Sequence, residues 1–325
     1  MEKQELTICS VYHSLEAKRL LELNYDWVKK MNPGKELRWV VADNTPKNFT
    51  GKIDSQRFIV VPGADHKESV PPWLVGSYHH SQAIAKSLPA ITTRFALFLD
   101  SDFYIVRHQW IDEILRYMEK NNLAFFGVPW HPAYAIKYRY FPAPHTMFVD
   151  TQKIPTQTLD FQPLYDDILH PTAYTGMLRR LRKIKEYISA RAKIGTSRDT
   201  ATRIYQKYYH SPDITWECPQ PVFDPADDLR DIKGARGASS MIECFLPDRF
   251  CYNPKRQNYY TKKGFRENGY ADARATGMEE FMWQGRPYGF HVRGSHKLTN
   301  DLEQGIRMIA ALLEDCKDAP VRVTK

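Results

Sequence analysis

The sequence predicts an α/β protein with a mostly parallel, Rossmann-like sheet flanked by helices. Three observations predict it. Apolar, strand-length runs alternate with helix-period segments through the first 150 residues, the pattern of successive βαβ units. Residues 95–99 form a continuous apolar run, as a strand covered on both sheet faces requires. Several runs close on a carboxylate, at Asp43, Asp65, Asp100 and Asp102. In open sheets of this kind the carboxyl ends of the strands border the ligand crevice. Each of these residues taken alone reads as a turn-former or a helix cap; together they outline a ligand edge.

The elements follow in order. Residues 6–12 read as a first strand, with Ser10 near its end, and residues 16–31 as a helix stopped by Asn32-Pro33-Gly34. Residues 37–42 are a second strand closing on Asp43-Asn44, and residues 57–61 a third. A helix over 73–88 leads into the 95–99 strand. A further helix over 108–121 carries Trp110, Ile111, Ile114, Leu115 and Met118 on one face. Strands at 123–128 and 146–149 complete the set. Beyond Asp150 the pattern loosens into a loop at 155–171, a basic helix from 176 to about 193 and a second helix from near Ser197 to Lys207. Residues 211–260, rich in Pro and aromatics, resist assignment, and an amphipathic helix over 299–316 closes the chain.

Composition narrows the class. Hydrophobic residues make up 42% of 325, enough for a sizeable core, so disorder is not expected. The five cysteines are scattered and without C-x-x-C spacing, which argues against a disulfide or zinc framework and fits a reducing, cytoplasmic setting. The amino-terminal residues run directly into a strand, unlike a signal peptide, and no apolar run reaches the ~18 residues of a membrane span. Between residues 178 and 210, ten Lys or Arg face only Glu186 and Asp199, a local +8 equal to the formal charge of the whole chain. A charge so concentrated points to a local anionic partner rather than to a nucleic-acid footprint.

Asp100-Ser101-Asp102 carries the clearest chemistry. Alternate residues of an extended chain point the same way, so its two carboxylates share a face. Hard oxygen donors at a strand end suit Mg²⁺ or Mn²⁺ that also takes oxygens from a diphosphate; the bland reading is a strand that ends in solvated acids. No G-x-G-x-x-G or G-x-x-x-x-G-K-[ST] is present, so a dinucleotide site or P-loop is not supported.

The first 150 residues resemble the donor-binding half of a GT-A glycosyltransferase, most closely family 2. The resemblance rests on Val40-Val-Ala-Asp43-Asn44 after the first βα unit, on the segment 76–86, on the 95–102 strand with its D-x-D, and on His291-Val-Arg-Gly294-Ser-His-Lys297 downstream. It implies a nucleotide-diphosphate-sugar donor, UDP- or GDP-linked, and a glycan or lipid-linked glycan acceptor. It places the donor near Ser10, Asp43, Asn44, Asp65, His79 and Ser101. Asp100, Asp102 and His291 would then be metal ligands, and Gly294 and Lys297 would approach the diphosphate. Residues 1–150 would bind donor, 151–298 would shape the acceptor side around a basic helical insertion at 176–210, and 299–325 would form a terminal helix and tail.

An inverting reaction also needs a base. Arg198-Asp199-Thr-Ala-Thr-Arg203 resembles the family's E-D segment, with Arg198 where Glu is usual, and makes Asp199 the candidate; a helix N-cap is the other reading of Asp199. Asp227, Asp228 and Glu243 stand in reserve, and a retaining reaction would need none of them. The basic helix reads as a solvated face, as an acceptor site, or as a peripheral contact with anionic membrane through residues 178–210. His79 is placed near the donor, whereas His80 is read as packing or capping, because adjacent helical residues diverge by about 100°. Competing classes are a nucleotidyltransferase, which would need a Gly-rich basic loop near the amino terminus, and a dehalogenase-type phosphatase, disfavoured by Tyr104. A non-enzymatic basic RNA-binding protein is the third.

Overall fold

The computed structural model describes residues 5–65, 75–131, 140–163, 199–209, 211–222, 278–292 and 302–317. Gly294, Lys297, Arg198, the three reserve carboxylates and most of the basic segment lie outside them.

Period-two alternation explains why the central strands read as unbroken apolar runs. In β1 (Leu6–Tyr12), β2 (Arg38–Asp43) and β4 (Phe95–Leu99), alternate side chains enter two different cores. Leu6, Ile8, Trp39, Val41, Phe95 and Leu97 enter one; Cys9, Val11, Val40, Ala42, Ala96 and Phe98 enter the other. With β3 (Ile59–Pro62) at the edge, these four run parallel in the order β3-β2-β1-β4.

Beyond β4 the sheet changes direction. β7 (Thr146–Asp150) pairs antiparallel with β4, β6 (Phe125–Gly127) antiparallel with β7, and β8 (Trp216–Glu217) parallel with β6, giving seven strands among the described residues. The expected α/β architecture with a mostly parallel sheet is the one observed. A smaller sheet was not foreseen. β5 (Phe103–Ile105), β9 (Gln220–Pro221), β10 (Glu279–Trp283) and β11 (Arg286–His291) form it in the order β5-β11-β10-β9. Only one short turn separates β4 from β5, so the chain steps from the large sheet to the small one at Asp100, Ser101 and Asp102.

Helices cover both faces. α1 (Leu15–Met31) begins at Ser14, whose Oγ accepts from the Ala17 amide at 3.1 Å, a cap worth about 1 kcal/mol. Leu20, Leu21, Trp27 and Val28 bury its apolar stripe, each contributing roughly 1.5–3 kcal/mol. α3 (Trp110–Lys120) and α5 (Leu302–Lys317, through Ile309 and Leu313) join the same core. α2 (Val75–Ser87) and α4 (Thr202–Tyr208) cover the opposite face. The helix expected from near Ser197 to Lys207 runs instead over Thr202–Tyr208. Ala201, with φ of 63°, occupies its cap position, so Asp199 is not the N-cap. Among the described residues no helix is long and apolar enough to cross a membrane.

Candidate active site

Main-chain bonds on both flanks of the β4–β5 turn assemble the site. On one side the Asp100 amide donates to the His145 carbonyl at 3.1 Å, extending the β4–β7 ladder one step past the Leu99–Thr146 pair. On the other side the Val292 amide donates to the Asp102 carbonyl at 2.9 Å, extending the β5–β11 ladder past the Phe103–His291 pair. Register thus sets His145 across from Asp100 and His291 one residue along from the partner of Asp102. His145 Nδ1 stands 3.8 Å from Asp100 Oδ2, and His291 Nε2 stands 3.3 Å from Asp102 Oδ1. The two imidazoles stack with centroids 4.9 Å apart and planes at 22°.

These groups are held firmly. His291 and His145 are both buried, and Trp130 packs edge-on to the His145 ring at 4.6 Å. Glu279 Oε2, on the neighbouring strand β10, lies 3.1 Å from His291 Nδ1 and leaves Nε2 turned to the aspartates. Burial alone would lower the His291 pKa, but Asp102 and Glu279 outweigh it and push it up to about 10. Asp102 answers in the opposite sense: burial would raise it, and the facing His291 brings it below the ordinary carboxylate range. Asp100 is held above that range by burial, with the Asp102 charge adding to the effect against an opposing pull from His80.

A cleft of about 440 Å³ opens in front of the aspartates, lined by Asp100, Ser101, Asp102, Asn44, His13, His79 and His80 among others. Ser14 and Ala17 at the start of α1, and Val75 and Gly76 at the first residues of α2, also border it. The first turns of α1 and α2 therefore border one space, where the helix dipoles favour an anion.

Not every expected residue reaches the cleft. Asn44, His79 and Ser101 line it. Ser10 does not: its buried hydroxyl donates to the Leu99 carbonyl at 2.6 Å and accepts from Trp39 Nε1 at 2.9 Å, so it braces β1, β2 and β4. Asp43 stands at the end of β2, bonded to Lys52 Nζ at 2.7 Å and to the Thr45 amide at 3.1 Å. Burial would raise its pKa, but these partners hold it below the usual carboxylate value. Asp65 is exposed and does not line the cleft. Asp199 is buried, its Oδ1 accepting from Ser77 Oγ at 3.2 Å and from the Thr200 amide at 3.1 Å. Ser77 adjoins the cleft residue Gly76, and the Asp199 charge is felt at Asp100.

Two corrections concern histidines. His80 is not a packing or capping residue: it lines the cleft with Nε2 at 3.5 Å from Asp100 Oδ1. His145 was not foreseen at all. A search for ligands at strand carboxyl ends misses it, because β7 runs antiparallel and brings its amino end to the crevice.

The donor set fits a divalent ion. Asp100, His145 and His291 each offer a ligand atom within 4.8 Å of the others, a mixed oxygen and nitrogen set with Asp102 adjoining. The carboxylate oxygens suit Mg²⁺ or Mn²⁺, and the imidazoles pull the preference toward first-row transition ions.

No protein-family model matches the chain, and no curated protein matches its sequence. Part of it is similar to solved structures. One is S. aureus TarS 1–349 with UDP-GlcNAc, at 13% identity over 49% of this chain and 48% of that one, TM-score 0.33. Another is the mannosyltransferase PcManGT from Pyrobaculum calidifontis with GDP-Man and Mn²⁺, at 11% over 48% and 49%, TM-score 0.32. A third is LgtC with donor and acceptor sugar analogues, at 15% over 45% and 58%, TM-score 0.28. The matched region spans about half the length of each.

Proposed function

We propose that the chain is a metal-dependent glycosyltransferase that moves a sugar from a nucleoside-diphosphate donor, UDP- or GDP-linked, to a hydroxyl of a glycan or lipid-linked glycan, with inversion. One observation carries this reading: Asp100, Asp102 and His291 converge at the carboxyl edge of the parallel strands, over a cleft that the first turns of two helices also border. Breaking a sugar–phosphate bond leaves charge on a diphosphate, and the site is rich in groups that meet it. Asp100, Asp102 and His291 would hold Mn²⁺ or Mg²⁺, which supplies Lewis-acid stabilisation of the leaving diphosphate.

The remaining roles belong to the chain's own residues. The amino ends of α1 and α2 would receive phosphate oxygens through backbone amides. Asn44 would meet the base, and Asp43, ionised and steadied by Lys52, would accept from ribose hydroxyls. Gly294 and Lys297 follow His291 in sequence and would close on the diphosphate. Asp199 would take the acceptor's proton. Residues 1–150 would hold the donor; 151–298 would bound the acceptor, with the basic 178–210 stretch meeting an anionic acceptor or lipid surface. Against a nucleotidyltransferase, only His13 and Ser14 separate β1 from α1, which leaves no Gly-rich loop to wrap a triphosphate.

Thermal-shift measurements with UDP, GDP, CMP and dTDP, each with and without Mn²⁺, test the proposal. One diphosphate should raise the Tm, only with Mn²⁺, by mass action on the folded state. Asp102→Ala should remove that shift. Asp199→Asn should keep it, because the base acts on the acceptor. No response to any nucleotide, with or without metal, would refute a donor site.

A further inference from the structure

We propose that His145 is a ligand of the same ion, adding a second imidazole to Asp100, Asp102 and His291 and so biasing the site toward transition ions such as Mn²⁺ over Mg²⁺. The inference rests on the metal reading given above and goes beyond it, since the sequence pointed only to Asp100, Asp102 and His291.

β7 enters the sheet antiparallel to β4, and the bond from the Asp100 amide to the His145 carbonyl makes these residues neighbours across the ladder. His145 therefore meets Asp100 through sheet register rather than through a chance rotamer. Its ring is confined on two sides, stacked on His291 at 4.9 Å and met edge-on by Trp130 at 4.6 Å. With the residue only 2% exposed, few other positions are open to the ring.

The distances suit one ion. The ligand atoms of Asp100, His145 and His291 lie within 4.8 Å of each other. At metal–nitrogen and metal–oxygen distances of roughly 2.0–2.2 Å, the ligands of one ion lie roughly 3–4.4 Å apart, so these side chains draw inward to seat it. The nitrogen count then decides which ion. Mg²⁺ favours oxygen ligands and retains its waters, so a pocket offering two imidazoles suits it poorly. Imidazole suits the later first-row ions best, and Mn²⁺, at the weak end of that series, still takes nitrogen ligands more readily than Mg²⁺ does. A site with a single His and two carboxylates would discriminate far less.

Removing an outer-shell partner of a metal ligand already costs roughly 10–100-fold in affinity, so loss of a ligand should cost at least that. The test compares Mn²⁺ and Mg²⁺ binding to wild type, His145→Phe, His145→Gln and Asp102→Ala by calorimetry. Mn²⁺ electron-spin-echo spectra of the same samples would count coupled ¹⁴N nuclei. His145→Phe keeps an aromatic ring against Trp130, and circular dichroism of both His145 variants reports folding.

The expected result is two imidazole nitrogens on Mn²⁺ in wild type and one in each folded His145 variant. Mn²⁺ affinity should fall at least tenfold while the weak Mg²⁺ affinity stays the same. If Mn²⁺ binding is abolished by Asp102→Ala but keeps its affinity and nitrogen count in either folded His145 variant, His145 is not a ligand and the glycosyltransferase reading stands. If wild type binds neither ion, with or without UDP and GDP, both readings fall together.

Discussion

Glu279 shows how a residue set back from a cleft can govern it. Its carboxylate lies 3.1 Å from His291 Nδ1 and selects the orientation in which Nε2 faces Asp102. Such outer partners fix the tautomer and raise the basicity of a ligating imidazole. Glu279→Gln should therefore weaken Mn²⁺ binding roughly 10–100-fold with the fold intact, as read by calorimetry. Undiminished affinity would mean that packing alone orients the ring. At this scale the sequence was partly informative. Asp100 and Asp102 stood out because a buried strand ran straight into them, and His291 because of its downstream glycine and lysine. Ser10 misled, since a serine at the end of a strand looks the same whether its hydroxyl faces a ligand or, as here, Leu99 and Trp39. His145 and Glu279 gave no signal, because each depends on which strand lies alongside.

The hairpin of β10 and β11 is the element on which the site depends most. It brings His291 to the aspartates and is held there by pairing with β5. Gly289 sits where that pairing is tightest: a Cβ there would lie 2.5 Å from the Tyr104 carbonyl oxygen, within the backbone of the partner strand. Gly289→Ala should accordingly cost about 1–3 kcal/mol through overpacking. It should also lower Mn²⁺ affinity as His291 is displaced. Urea unfolding and calorimetry on one preparation check both effects, and an unchanged midpoint would show that the hairpin shifts without strain. Elements buried on two faces, such as β1, β2 and β4, could be read from their apolar runs. The hairpin could not, since Glu279, Glu280, Arg286 and Pro287 break its pattern while most of its side chains are nonetheless buried.

Across the whole molecule, two cores share one sheet, and groups buried in them set an alkaline limit to stability. Cys9 lies in one core and Tyr12 in the other. Burial is the main cause in each case, pushing the Cys9 thiol and the Tyr12 hydroxyl up to about 12. Both protons stay on in the native state while the unfolded chain releases them near pH 9 and 10. The stability they contribute is therefore complete below pH 9 and is lost as pH rises through 12. Urea midpoints measured from pH 8 to 11.5 should fall progressively, and the fall should be shallower in Cys9→Ala. Equal slopes in the two proteins would place the alkaline loss elsewhere.

The order in which the chain is made adds a consequence of the hairpin's position. Asp100 and Asp102 leave the ribosome about 190 residues before His291. At roughly 5–20 residues per second, that is an interval of roughly 10–40 s. During it the nascent chain displays two acidic side chains and His145 with no Glu279–His291 pair to complete them. The proposed ion site is thus closed by the last strand of the small sheet, so a fragment ending before β10 would carry the sequence motif without the centre it belongs to.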